Sequence, residues 1–177
     1  MLDEPVHLET YDPEWERAFQ SEQQRLGHGL RLVADSIQHI GSTAIPGLAA
    51  KPIVDIMIGV STFPPPAAWS KELAVLGYEA LGEVGVPGRL YFRQRGHAAY
   101  NVHVVEHLGT HWASNLALRD YLRCSPEAAR EYESAKRAAL ARGAATLLAY
   151  SEAKALVIEE LLYRALKHKD STNKDAG

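Results

Sequence analysis

Cysteine is almost missing. Cys124 stands alone among 177 residues, which excludes an internal disulfide and fits a reducing cytoplasm. No apolar run approaches the roughly 20 residues that a membrane-spanning helix needs, so no membrane partner is expected. The opening residues Met1-Leu2-Asp3-Glu4-Pro5 are acidic and hold no apolar stretch, so they do not read as a signal peptide. A strong charge of one sign is absent too. The net charge is -3, which gives no general attraction to nucleic acid. With no internal repeat, low-complexity block or linker, residues 1–168 read as a single domain. The polar tail, 169–177, is expected to be disordered. One local absence is more telling. From Val84 to Val105 there is no carboxylate, although Arg89, Arg93, Arg95, His97 and His103 lie there. Such a stretch fits a phosphate or another anion. It fits equally a strand edge protected by charge.

The elements follow from local pattern. Asp12 and Pro13 open a helix. Short strands read at 36–40 and 78–81, and Ile53–Val60 is β-branched and apolar enough for a buried central strand. Residues 67–76 form a helix closed by Gly77. Residues 90–95 and 100–105 pair as a hairpin around Gly96. From His111 the pattern is helical: to about Arg123, from Ser125-Pro126-Glu127 to Arg142, and from Ser151 to about Lys167. The order predicts an α/β (α+β) protein, with a mixed sheet, flanking helices and a helical C-terminal third.

The chemistry concentrates between His39 and Ile58. A strand, a small-residue turn at Gly41-Ser42-Thr43, a connector through Lys51 and a second strand place N–H groups and hydroxyls beside a carboxylate, Asp55. Gly41 permits close backbone approach, and such a turn can cradle an anion. It is not a phosphate-binding P-loop, because Leu48-Ala49 follows Gly47 where that motif requires Lys and then Ser or Thr. Asp55 lies in an apolar strand, where an unpaired carboxylate costs several kcal/mol. It therefore needs a partner, a metal or the open end of a site.

The stretch HIGSTAIPGLAAKPIVDI resembles the GrpB family. So do Gly88-Arg89 with Tyr91-Phe92-Arg93, Asn101-Val102-His103-Val104, Leu118 to Arg123, Glu131-Tyr132 with Lys136, and Tyr150 to Lys154. The resemblance covers about residues 6 to 166. It implies a nucleotidyltransferase-like fold, the scaffold of DNA polymerase beta, and a similar domain ends some bacterial dephospho-coenzyme A kinases. Within that superfamily Ile40-Gly41-Ser42 and Asp55-Ile56 match the pattern, but Met57 stands where a second acid is expected. Two-metal phosphoryl transfer uses carboxylates that hold ions about 3.5–4 Å apart, and a thioether is a poor ligand for Mg²⁺. Asp55 with His103 is left as the catalytic pair or as ligands for one divalent ion, Mg²⁺, Mn²⁺ or Zn²⁺. Gly41, Ser42, Thr43, Lys51, Arg89, Arg93 and Lys136 are the candidate phosphate contacts. The resemblance adds Arg119, Asp120, Tyr132, Lys136 and Lys154 as pocket walls. Three readings follow. One is a nucleotidyltransferase-like enzyme acting on a phosphate-bearing small molecule. Another is a non-catalytic module binding a nucleotide or coenzyme A derivative. The third is a scaffold with no ligand.

His103-Val104-Val105-Glu106-His107 also spells an inverted zinc-peptidase motif. That chemistry needs a helix, and the valines favour a strand. His107 and His111 are expected to be structural, the latter capping the helix after Thr110.

Overall fold

Asp12 starts the first helix as its side chain dictates, Oδ1 accepting the Glu14 N–H at 2.9 Å and satisfying a donor that a helix start leaves unpaired. The computed structural model describes residues 4–96 and 98–175. His97 and both extreme ends, including Met1–Asp3 of the acidic start, lie outside the described residues. Helix α1 (Glu14–Leu30) buries Trp15, Phe19, Leu26 and Leu30 at helical spacing. Then come β1 (Ile37–Ile40), β2 (Val54–Val60), α2 (Ala68–Val75), β3 (Glu79–Gly82), β4 (Arg89–Gln94) and β5 (Tyr100–Glu106). The C-terminal third is α3 (Thr110–Cys124), α4 (Pro126–Ala141), α5 (Leu147–Ala153) and α6 (Ala155–Asp175).

These strands form one sheet in the order β1-β2-β5-β4-β3. Its central pair, β2 and β5, is parallel, and the other pairs are antiparallel. The expected mixed sheet, hairpin and helical C-terminal third are all present. No described helix is long and apolar enough to cross a membrane.

Strand alternation sorts the sheet into two unlike faces. Val54, Ile56, Ile58 and Val60 of β2 join Val102 and Val104 of β5 in the main core, against Trp15, Phe19, Leu26 and Leu30 of α1 and Leu73 of α2. The opposite face carries Asp55 and Met57 of β2, in register with Asn101 and His103 of β5. Part of it is sealed: Met57 packs with Ile40, Val105 and Trp112 of α3 in a small separate core. The rest, around Asp55, is open.

Two boundaries differ from expectation. The last helix is broken in two, with Lys154 at the break (φ -106°, ψ 0°). Helix α6 also runs past Lys167 to Asp175, so the described part of the polar tail continues as helix. No glycine or proline lies between Leu147 and Asp175 to stop it, and Ser171 Oγ donates back to His168 O at 2.8 Å.

Candidate functional site

The open half of the sheet faces a cleft of about 440 Å³. Its floor is Asp55, Asn101, His103 and Tyr91; one end is Gly41-Ser42-Thr43; α4, α5 and the start of α6 form the far wall.

Asp55 is 17% exposed and is held from three sides. Asn101 Nδ2 donates to its Oδ1 at 2.6 Å, and His103 Nε2 lies 3.6 Å from the same oxygen. On the third side is Gly41, at φ 72°, where a Cβ would sit 2.6 Å from Asp55 Oδ2. Any other residue at 41 would collide with the carboxylate and strain the backbone. Burial pushes the Asp55 carboxyl up, but the charge of Lys51 and then the contacts with His103 and Asn101 outweigh it and hold it below the usual carboxylate range. His103 moves the other way for an imidazole. Burial lowers its pKa more than Asp55 raises it, so the ring stays neutral near pH 7.

Asn101 is fixed in its orientation. Its Oδ1 accepts from Tyr91 Oη at 2.6 Å and from an Arg95 guanidinium N–H at 3.0 Å. Only its NH₂ is left to face Asp55. Arg95 is in turn gripped by both carboxylate oxygens of Glu4, at 2.6 and 3.0 Å. The same packing pushes the Tyr91 hydroxyl up to about 12, through burial first and the Asp55 charge second.

The turn beside Asp55 is equally constrained. Thr43 Oγ1 lies 3.0 Å from His39 Nε2, His39 stacks on Phe19, and Arg123 Nε donates to Ala44 O at 2.8 Å. Among the described residues, three cations line the cleft: Lys51, Arg89 and Lys154. Asp55 is the only carboxylate among its described lining residues. The Lys154 ammonium lies over the Tyr150 ring at 4.5 Å and the Tyr132 ring at 5.8 Å. That placement depends on the helix break at Lys154.

Of the residues singled out from sequence, the cleft gathers Gly41, Ser42, Thr43, Lys51, Asp55, Arg89, His103, Tyr132 and Lys154. Four others, Arg93, Arg119, Asp120 and Lys136, stand elsewhere. Arg93 Nε donates to Glu79 Oε2 at 2.8 Å on the neighbouring strand, away from the cleft; the cross-strand pair β3–β4 claims it. Arg119 donates to Asp120 beside it and to the Gln38 side chain of β1, so it ties α3 to the sheet, and neither residue lines the pocket. Lys136 is 1% exposed. It donates to Ala49 O and lies over Tyr132, which places it behind the wall. Burial and then the neighbouring Lys154 push it down to about 7.

Asn101, Tyr91, Arg95 and Tyr150 belong to the site without being marked as site residues by the sequence pattern. A signal for Asn101 existed: it is two residues before His103 on a strand, hence on the same face. The peptidase motif fails, because His103 and Glu106 lie on β5. His107 packs edge-on against Trp112. His111 does not cap its helix; its Nε2 lies 2.8 Å from Pro87 O in the β3–β4 loop.

The donor set does not fit a pair of divalent ions. Met57 is fully buried under Trp112, Asp55 Oδ1 is occupied by an amide donor, and no cluster of three His, Cys, Asp or Glu side chains suited to a metal occurs among the described residues.

A mixed α/β domain with a single-carboxylate, cation-lined cleft is thus defined. A family model described as GrpB protein matches residues 5–164, and the chain belongs to the GrpB family. It is 36% identical over 135 residues to UPF0157 protein YqkA of Bacillus subtilis, covering 75% of this chain but 39% of that one. It is 35% identical over 138 residues to glutamate-rich protein GrpB of Alkalihalophilus pseudofirmus, covering 75% and 79%. The crystal structure of conserved protein GrpB from Enterococcus faecalis superposes with a TM-score of 0.81 at 31% identity, over 92% of this chain and 99% of that one. A dephospho-CoA kinase of Mycolicibacterium paratuberculosis is 28% identical over 194 residues, and the match spans 48% of its length.

Proposed function

We propose that the cleft binds a phosphate-bearing small molecule of the nucleotide or coenzyme A class, on a nucleotidyltransferase-like scaffold that does not use the two-metal mechanism. One observation carries this reading: Lys51, Arg89 and Lys154 converge on a cleft with one carboxylate. Charge-assisted hydrogen bonds to phosphate are about twice as strong as neutral ones, and Ser42 and the turn N–H groups add neutral donors. The partial match to a dephospho-CoA kinase supports a coenzyme A derivative as one candidate. Asp55 then orients the site and repels misplaced anions.

A catalytic version has its own support. A neutral His103 beside an ionised Asp55 is the arrangement of a general base, and it would serve a transferase that activates an acceptor hydroxyl without metal. A cytoplasmic location suits either version, since exposed Cys124 stays a thiol there.

A thermal-shift screen tests the reading: nucleotides, coenzyme A and dephospho-coenzyme A, each with and without Mg²⁺, Mn²⁺ or Zn²⁺. A ligand at about 100 times its dissociation constant adds roughly 2.7 kcal/mol. We expect stabilisation by at least one phosphate compound without metal. Stabilisation only with a divalent ion would contradict the proposal.

A further inference from the structure

The loop from Gly82 to Gly88, between β3 and β4, holds four residues in the left-handed region: Gly82, Gly85 and Gly88 at φ 72–79°, and Val84 at φ 45°. Glycine accepts that conformation, whereas a β-branched residue rarely does. Such strain persists only where the surroundings enforce it. Here Gly88 N–H donates to Glu83 Oε1 at 2.8 Å, Arg89 donates to Glu83 O at 3.1 Å, and His111 buttresses Pro87 O. The enforced loop places Val84 and Val86 on the cleft, and α5 and α6 place Leu147, Leu148 and Ile158 on it as well. Arg89, at the base of the loop, has a buried Nε with no hydrogen-bond partner. A buried donor without an acceptor is costly, and a phosphate that draws the guanidinium toward the cleft relieves that cost.

We propose that this loop, rooted at Arg89, makes the site selective for organic phosphates. Arg89 takes the phosphate, and the two valines with the leucine wall enclose an apolar or planar group joined to it. The inference rests on the phosphate reading above. A cleft of about 440 Å³ lies within the roughly 300–1,000 Å³ of small-molecule sites. Inorganic phosphate would satisfy Arg89 but leave that apolar wall wet.

The test is calorimetric titration of the full chain with inorganic phosphate, pyrophosphate, hexyl phosphate and adenosine monophosphate, repeated on Val84→Gly and Val86→Ala. At least one ester should bind about tenfold or more tighter than inorganic phosphate, the gain expected from burying a modest apolar area. Both variants should shrink that advantage and leave the affinity for inorganic phosphate unchanged. Val84→Gly also relieves the left-handed backbone, so its melting temperature should not fall, and weaker ester binding there is not a folding defect. Hexyl phosphate winning indicates an apolar group; adenosine monophosphate winning indicates a planar one. If inorganic phosphate or pyrophosphate binds as tightly as the better ester, or if the variants weaken all four alike, this inference is overturned while the phosphate reading stands. If none of the four binds, both fall together.

Discussion

The two faces of the central strand do opposite work within seven residues. Val54, Ile56, Ile58 and Val60 enter a closed apolar core; Asp55, one step out of phase, meets an amide, an imidazole and a cleft. Met57, two residues on, shares the Asp55 face yet is sealed beneath Trp112. The contrast shows that the site is confined to one end of one face. Trp112, and not the cleft, occupies the space beside residue 57.

Met57→Asp should break that contrast hardest. It places a carboxylate in an apolar pocket, at a cost of about 3–5 kcal/mol for an unpaired buried charge. We expect a large loss of stability in denaturant and no gain in metal binding by calorimetry. A stable variant that binds Mg²⁺ would show that the seal opens. Gly41→Ala comes next. Its Cβ would lie 2.6 Å from Asp55 Oδ2 at a φ of 72°, which costs on the order of 1–3 kcal/mol and displaces the carboxylate. Chemical denaturation should record the loss of stability, and ligand titration a weaker site, because the Gly41-Ser42-Thr43 end of the cleft must shift with it.

Lys136 sharpens the account of the wall. Folded, it is pushed down to about 7, whereas unfolded it titrates near about 10.4. Between those values the unfolded chain binds more protons, so stability rises with pH across that window, by up to about 1.4 kcal/mol per unit. Lys136→Met should flatten the slope from pH 7 to 10 in denaturation curves; an unchanged slope would assign it to another group. The smallest effect is expected from Arg93→Ala. This residue pairs with Glu79 of β3 and does not line the cleft, so the change should leave ligand affinity unaltered.

Much of this was legible in the sequence. Strand composition, turn residues and caps give the element order, and the lone Asp55 in an apolar strand marks the site. Side-chain destinations over long range were not legible. Arg89 and Arg93 are four apart in one basic stretch, yet one reaches the cleft and the other crosses to β3, because the register with β3 and β5 decides the neighbours of each. Asn101 was readable only as a strand residue. Its fixed orientation depends on Glu4 and Arg95, brought together across 91 positions of chain. The break at Lys154 has no glycine or proline to announce it.

In the proposed site, cations and not a metal held by Asp55 bind the phosphate. The most direct test is titration of one nucleotide in the presence of a chelator into wild type, Arg89→Ala and Asp55→Asn. The account predicts metal-free binding in the wild type. Arg89→Ala should weaken it by about 1.5–3 kcal/mol, the worth of a charged hydrogen bond, and Asp55→Asn should leave it unchanged or tighter, because a repelling charge is gone. Binding that requires a divalent ion, survives Arg89→Ala and vanishes with Asp55→Asn would contradict it.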